Sequence, residues 1–241
     1  MSLSTAGRVL GRVALVLAVV ALLAVALPGP GNRLGLFGFR TGFRMMSYGA
    51  YAALAAAALG LVGVVIGGAR GLSALALVLG LAAFGGPYAL RRTAQAVPPI
   101  HDISTDTADP PIFVAVLSRR AGASNAVEYG GAAIATQQHK AYPDVQPLRL
   151  PAPPPQAFER ALGAARAMGW DIADAVPAEG RIEATATTPW FGFKDDVVVR
   201  IRPDGSGSIV DVRSLSRVGR SDLGANAKRI RAYLDRLRGA A

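Results

Sequence analysis

The sequence predicts an α-helical transmembrane region of three spans followed by a soluble α+β domain, an antiparallel β-meander packed by helices with a long C-terminal helix. Three observations lead to this fold class: long apolar stretches in the first hundred residues, alternating patterns after residue 180, and helically spaced apolar residues near the C-terminus. We expect a membrane region at residues 1–92, a tether at 93–110 and a soluble domain at 98–241.

The three predicted membrane spans lie at about 9–27, 48–68 and 72–90. Each is close to the roughly 20 residues that a helix rising about 1.5 Å per residue needs to cross the hydrocarbon of a bilayer. Helices buried in a soluble protein would show polar faces at helical spacing, and these stretches show none. Gly63 and Gly67 form a GxxxG pair, which allows a neighbouring helix to approach closely. The short link around Gly71 predicts a tight helical hairpin between the second and third spans.

Charge placement indicates a lipid partner for the first region. The formal net charge is +10, and residues 1–100 contain eight arginines and no acidic residue. Because this charge lies beside apolar segments, it suits lipid phosphates and does not form the broad basic face that nucleic acid needs. Residues 36–46 mix Phe with Arg, as segments at the level of lipid headgroups do. We therefore expect the lipid bilayer, and no nucleic acid, as a partner.

The orientation of the chain in the membrane is open on the residues alone. Five arginines flank one side of the spans and three the other, which favours a cytoplasmic C-terminal domain. In contrast, the basic start, the apolar core and Ala24-Val25-Ala26 resemble a secretory signal, which places the large domain outside the cytoplasm whether or not the signal is cleaved.

Helical spacing predicts two helices in the soluble domain. Pro155 suits the first turn of a helix whose apolar stripe runs to Met168, and Gly169 is placed to end it. Ser221 is predicted to cap the last helix, whose apolar residues step by three and four positions to Leu237.

Alternating and β-branched residues predict the strands between these helices. About four strands are expected, at residues 170–176, 181–188, 197–202 and 208–215. The sequence Pro203-Asp204-Gly205 predicts the turn between the last two. Consecutive strands joined by short turns give an antiparallel meander.

Four sequence blocks carry a resemblance to a known family: PPIHDISTD (98–106), YPDVQPL (142–148), the block at 179–203 and the block at 210–234. Together, over about 98–238, they resemble the uncharacterised bacterial and plastid family catalogued as domain of unknown function 1499. The resemblance implies no established activity. It implies that the domain lies on the exported side of a membrane. With the three predicted spans, this favours a multi-pass protein of the bacterial inner membrane whose C-terminal domain is periplasmic. Some family members carry a cysteine pair near the domain start, whereas this chain has no cysteine.

The residues available for catalysis form no recognisable constellation. His101 and His139 lie in loop-like sequence without the spacing of a metal site, so we expect no metal and no cofactor. No GxSxG motif supports a hydrolytic triad around His101 and Asp102. Asp195 and Asp196 are adjacent in a predicted strand and should point to opposite faces, which makes them poor acid–base partners. The prediction is a protein that is not an enzyme.

The stretch TTPWFGFKDDVV (187–198) combines large aromatic residues with charges. Pro189 and Gly192 predict a turn between two strands, with at least one ring buried and with Lys194, Asp195 and Asp196 solvated. The alternative is a contact loop for an apolar pocket or the membrane interface. Opposite charges on neighbouring strands are expected to form a structural ladder. Candidate ligand- or partner-binding residues are Trp190, Phe191, Phe193, Lys194, Arg213, Arg217 and Arg220.

The sequence as a whole predicts a membrane-anchored envelope protein that binds a lipid-like or apolar ligand or a membrane-protein partner. Two alternatives stay open. One is a structural or assembly subunit of a membrane complex. The other is an envelope enzyme that uses His101, Asp102 and the loop of Asp195 and Asp196.

Overall fold

The computed structural model describes residues 2–239, which divide into two compact units. The first unit holds the N-terminal residues through Gln95 together with Pro189–Gly192. The second unit holds Ala96–Thr188 and the residues from Phe193 onward.

The first unit is helical. Its elements are α1 (Leu3–Ala26), α2 (Pro28–Arg33), α3 (Phe39–Ile66) and α4 (Arg70–Ala96). The helices α1, α3 and α4 are long and apolar enough to cross a membrane, so the three predicted apolar helices are confirmed. Each is longer than its predicted span, because turns that contain arginine continue the helix past the apolar stretch.

Small residues allow the long helices to pack closely. Ala14, Ala18, Ala56 and Ala76 form one buried cluster contributed by α1, α3 and α4. A Cβ atom added at Gly60 would lie 2.7 Å from the backbone nitrogen of Leu77, so only glycine fits there.

The predicted GxxxG pair divides into two roles. Gly63 lies in α3 against the Ser73 side chain of α4, as close packing requires. Gly67 lies beyond the end of α3 and has a φ of 86°, so it ends the helix. It is buried, and its carbonyl lies against Gly7 of α1, so it also takes part in a close helix contact. The short link of residues 67–69 makes α3 and α4 a hairpin, as predicted.

The second unit has the predicted α+β composition. In chain order its elements are β1 (Asp102–Ser104), a 3₁₀ helix (Ala115–Arg119), α5 (Gly131–Ala141), β2 (Leu148–Leu150), α6 (Pro154–Ala167), β3 (Asp171–Val176), a 3₁₀ helix (Pro177–Glu179), β4 (Arg181–Thr187), β5 (Lys194–Asp204), β6 (Gly207–Ser216) and α7 (Ala225–Gly239).

The sheet is antiparallel, with the strand order β1-β6-β5-β4-β3, and β2 also pairs with β6. The predicted meander is confirmed as β3–β6. The sequence did not indicate β1 and β2, because a strand of three residues is too short to show alternation.

Different elements pack on the two faces of the sheet. On one face, apolar residues of β4–β6 pack with α6 and α7 in a single core that includes Phe158, Val199 and Tyr233. The opposite face is called the charged face here, and residues 105–130, the covering segment, cross it. Phe113 and Val116 of this segment pack on Val198 and Leu215 of the sheet. The charged face carries Glu183, Thr185, Asp196, Arg200, Arg202, Asp211 and Arg213.

The start of α7 differs from the prediction. Ser221 does not cap the helix, because its hydroxyl accepts from the amide of Leu223 before the helix begins. The cap is the Asp222 carboxylate, which accepts from the amides of Gly224 and Asn226 at 2.8 Å each. Leu223 and Gly224 take positive φ values of 55° and 80°, and this turn brings Asp222 to the first amides of α7.

Candidate functional site

Arg213 and Asp102 form a buried ion pair on the charged face. Arg213 Nε and Nη2 donate to the two carboxylate oxygens of Asp102 at 2.9 and 2.7 Å. Nη1 and Nη2 also donate to the carbonyls of Pro111 and Val127 in the covering segment. Burial raises the pKa of Asp102, and the hydrogen bond and charge of Arg213 oppose that rise. All three guanidinium nitrogens are occupied, so Arg213 joins β6, β1 and the covering segment.

Tyr129 lies beside this ion pair. The guanidinium carbon of Arg213 is 5.5 Å from the ring centroid of Tyr129. The Tyr129 hydroxyl is buried and has no hydrogen-bond partner among residues 2–239. Burial, with a smaller contribution from the charge of Asp102, raises the pKa of Tyr129 to about 12.

The raised pKa of Tyr129 predicts a loss of stability at alkaline pH. The unfolded phenol ionises near its ordinary pKa of about 10, whereas the folded phenol keeps its proton. The stabilising effect is therefore complete below about pH 10 and is lost as the pH rises toward 12. We expect the free energy of unfolding to fall more between about pH 9 and about pH 11 in the wild type than in Tyr129→Phe, measured by denaturant titration.

At neutral pH, Tyr129→Phe should leave stability unchanged or slightly increased, because it removes a buried hydroxyl without a partner. Parallel pH profiles for the two proteins would contradict the assignment.

Glu183 fixes the covering segment to the sheet. The Glu183 carboxylate is fully buried and accepts from three consecutive backbone amides, those of Val114, Ala115 and Val116, at 3.0 to 3.1 Å. These amides open the 3₁₀ helix Ala115–Arg119, where backbone donors have no partner within the helix. Arg181 Nη1 pairs with the same carboxylate. The Glu183 carboxylate is therefore the anion that the amides of this turn bind.

Asp195 and Asp196 point to opposite faces of β5, as predicted. Asp196 pairs with Arg120 and Arg217 on the charged face. Asp195 pairs with Arg229 of α7 on the helical face. The prediction that both aspartates are solvated is wrong, since both are buried in β5. The strand continues to Lys194, so the aspartates lie within the sheet and not in the hairpin loop.

A further charged cluster confirms the expected ladder between β5 and β6. Arg200 and Asp211 are cross-strand partners, and Arg200 Nη2 donates to Asp211 Oδ2 at 3.0 Å. Arg202 Nη2 reaches the same oxygen at 2.8 Å. Asp106 of the covering segment accepts from both arginines, and Asp109 accepts from Arg200. This cluster thus also joins the covering segment to the sheet.

The two histidines lie apart. His101 Nδ1 is 3.3 Å from the backbone carbonyl of Arg220, whose side chain is exposed. His139 Nε2 is 3.0 Å from Thr107 Oγ1 and borders an open cavity of about 460 Å³. Within residues 2–239, no three His, Asp or Glu side chains converge as metal ligands would.

The covering segment exposes large apolar residues to solvent. Ile112, Val114 and Leu117 are 71%, 48% and 47% exposed and are called the apolar strip here. They alternate with the buried residues Phe113 and Val116, so this stretch is apolar on both of its sides. Beside the strip lies a cavity of about 320 Å³, which is lined by Asp109, Pro110, Pro111, Ile112, Val114, Glu179, Arg181, Val198 and Arg200.

The acids around the apolar strip are more exposed than the arginines that pair with them, although Arg119, the partner of Asp171, is itself 41% exposed. The Asp109 and Asp171 side chains are 74% and 72% exposed. The arginines Arg181 and Arg200, which pair with acids at this cavity, are only 12% and 20% exposed. A partner that approaches the strip therefore meets apolar side chains with arginine-paired carboxylates at the rim.

The aromatic turn is divided between the two units. In the first unit, Phe191 is buried with its ring centroid 5.0 Å from that of Phe43, and Asn32 Nδ2 donates to its carbonyl at 2.7 Å. Trp190 is 42% exposed. The expectation of one buried ring is therefore met by Phe191.

In the second unit, Lys194 is exposed and donates to Thr187 Oγ1 at 2.7 Å. The backbone amide of Phe193 donates to Thr188 Oγ1 at 2.9 Å. These two bonds close the end of the hairpin between β4 and β5.

Sequence reasoning missed the role of Glu183 and the apolar strip. Alternation in β4 places Glu183 opposite the core face, which by itself predicts an exposed carboxylate. The sequence did contain one signal, the run PPIFVAVL (110–117), which is apolar at consecutive positions. Such a run presents apolar side chains in two directions, so packing against the sheet can bury only part of them.

One comparison with known proteins gives a match. A family model described as Protein of unknown function (DUF1499) matches residues 102–237, from β1 into α7. The comparison with curated proteins gives no match. The matched residues are more than half of the 241-residue chain. The chain belongs to the DUF1499 family of proteins of unknown function.

Proposed function

We propose that this protein is a membrane-anchored binding module without catalytic activity, and that its second unit docks a protein partner on the apolar strip. The observation that carries the proposal is the exposure of Ile112, Val114 and Leu117 on a segment whose backbone is hydrogen-bonded to the sheet side chains Glu183 and Arg213. Adjacent exposed apolar residues surrounded by polar and charged side chains are typical of interaction sites.

The state of the carboxylates supports the absence of catalysis. A general acid or base must reach substrate and change its protonation. Asp102, Asp195 and Asp196 are buried, and each is paired with arginine. Each of these ion pairs places the carboxylate in a buried structural contact between elements of the second unit.

The packing of the second unit favours a protein partner over an apolar small molecule. A lipid-like ligand needs an enclosed apolar pocket that buries most of its surface. Between the sheet and the helices, Phe158, Leu162, Val199 and Tyr233 instead pack together in one continuous core. The cavity beside the strip is lined by charged residues as well as apolar ones.

The acidic rim defines the chemistry of the partner. Asp109, Asp171 and Glu179 are exposed around the strip. We infer a protein surface that combines apolar side chains with lysine or arginine, since opposite charges at an interface rim favour encounter and specificity. A structural or assembly subunit of a membrane complex would use the strip in this way.

The proposed location is the bacterial inner membrane with the second unit in the periplasm. The family resemblance and the signal-like start of the chain support this placement, while the count of flanking arginines favours the opposite side.

Photocrosslinking in intact membranes tests the docking surface. A photoreactive amino acid at Leu117 of the full-length protein should give one discrete protein adduct, and one at Gln156 on α6 should not. The double substitution Ile112→Ser and Val114→Ser should reduce the adduct at least about tenfold, since each apolar side chain contributes roughly 1.5 kcal/mol or more when buried. The double substitution Asp109→Asn and Glu179→Gln should weaken the adduct as well.

Three results would overturn the docking proposal. Adducts with lipid alone would identify a membrane contact. The same adduct from Gln156 would indicate unspecific proximity. An adduct unchanged in the Ile112→Ser and Val114→Ser protein would show that the strip does not bind the partner.

A further inference from the structure

We propose that the first unit binds the headgroups of anionic phospholipids at a basic corner, which consists of α2, residues 34–38 and the first turns of α3. This inference rests on the first unit alone and is independent of the docking surface on the second unit.

The charges of the basic corner have no counter-ion within the first unit. Arg33, Arg40 and Arg44 are exposed, and residues 1–95 contain no aspartate or glutamate. Arg33 Nη1 donates to the carbonyl of Pro189, and Arg40 lies over the ring of Phe39 at 5.8 Å from its centroid. Neither contact neutralises a charge. Guanidinium groups bind phosphate oxygens in two parallel hydrogen bonds, so lipid phosphates are suitable counter-ions.

One face of α3 is graded from charged to amphipathic to apolar. Arg40, Arg44, Tyr48 and Tyr51 follow one another at spacings of four, four and three residues, which places them along one stripe of the helix. All four side chains are exposed. Beyond Tyr51 the helix is apolar to its end at Ile66.

The dimensions of this stripe match a lipid headgroup layer. Arg44 and Tyr48 are about 6 Å apart along the helix axis, at about 1.5 Å per residue. A headgroup layer is roughly 5–7 Å thick on each side of the hydrocarbon. If Tyr48 lies at the hydrocarbon boundary, where tyrosine is enriched, Arg44 lies at the level of the phosphates.

Exposed apolar residues complete the basic corner. Leu34 and Leu36 are about three quarters exposed in the link between α2 and α3, and Trp190 is partly exposed beside Gly29. Arginines next to exposed leucine and tryptophan are the composition of a segment that inserts at the membrane interface. A free phosphate ion would use the arginines but not the leucines, which favours a lipid as the ligand.

Lipid retention by the purified full-length protein tests the inference. The protein is exchanged in detergent with an equimolar mixture of phosphatidylglycerol and phosphatidylcholine, and the lipids that remain after gel filtration are quantified by mass spectrometry. The wild type should retain phosphatidylglycerol selectively. In the Arg40→Gln and Arg44→Gln double variant, the ratio of retained phosphatidylglycerol to retained phosphatidylcholine should fall about tenfold.

The first unit supplies a matched control. Arg8 and Arg12 have the same spacing on α1 and are also exposed, but valine and not tyrosine follows them at the next position of the stripe, Val16. The Arg8→Gln and Arg12→Gln double variant should keep most of the selectivity. Equal retention of both lipids by the wild type, or an equal loss in the control variant, would overturn the inference. Displacement of phosphatidylglycerol by about 10 mM inorganic phosphate would overturn it too, because the arginines would then bind a free anion as well as a lipid headgroup.

Discussion

Replacing Glu183 with alanine is expected to lower the free energy of unfolding of the second unit by about 3–5 kcal/mol. The substitution leaves three amides, those of Val114, Ala115 and Val116, without an acceptor in a buried position. It also removes a carboxylate partner of Arg181, which is largely buried. Hydrogen exchange of the full-length protein should show lost protection at residues 111–120, and chemical denaturation should give the change in stability.

Two further variants test whether the loss of stability comes from the buried Glu183 carboxylate or from the removal of any acidic partner of Arg181. Glu183→Gln keeps an acceptor oxygen of similar shape and should cost less than Glu183→Ala. Glu179→Ala removes the neighbouring, exposed partner of Arg181 and should change stability by at most about 1 kcal/mol. Equal effects of Glu183→Ala and Glu179→Ala would show that the three amides do not depend on Glu183.

Replacing Gly60 with valine is expected to separate α3 from α4 and to destabilise the first unit by about 1–3 kcal/mol. An added Cβ atom would lie 2.7 Å from Leu77 N and from Ser73 O, which are backbone atoms and cannot rotate away. The whole of α4 must therefore shift. The apparent melting temperature of the protein in detergent should fall by roughly 2–10 °C.

Gly85→Val is the matched control for Gly60→Val. Gly85 also lies in a long apolar helix, and a Cβ atom there meets no other atom within 4 Å. The melting temperature of the Gly85→Val protein should stay within about 2 °C of that of the wild type, since no neighbouring helix has to shift. The same loss in both variants would show that the close approach of α3 and α4 at Gly60 does not determine the effect.

The fold was predictable where a periodic pattern covers enough residues. The apolar stretches behind α1, α3 and α4 are long, and β4–β6 alternate over several residues. Helix ends were harder to predict from the sequence. The helix α3, for example, begins at Phe39, and its first turns contain arginines that do not belong to an apolar stretch. The 11-residue helix α5 was missed because its sequence, GAAIATQQHKA, has few large apolar residues.

The candidate site was predictable only in part. Alternation correctly placed Asp195 and Asp196 on opposite faces, but it does not reveal what covers each face. The covering segment lacks periodicity, and its contact with Glu183 joins residues 67 to 69 positions apart in the chain. Contacts at such separation follow from the tertiary structure alone. The apolar strip is a consequence of the same segment and was missed with it.

The two adjacent aspartates of β5 have a mechanical consequence. Asp195 holds α7 on one side of the strand, and Asp196 holds Arg120 of the covering segment on the other. Detachment of either layer would break one of these ion pairs and expose the apolar side chains packed between that layer and the sheet, so it should be unfavourable while β5 remains folded. The second unit should therefore melt as a single cooperative body, and proteases should find no stable intermediate that lacks only one of its layers.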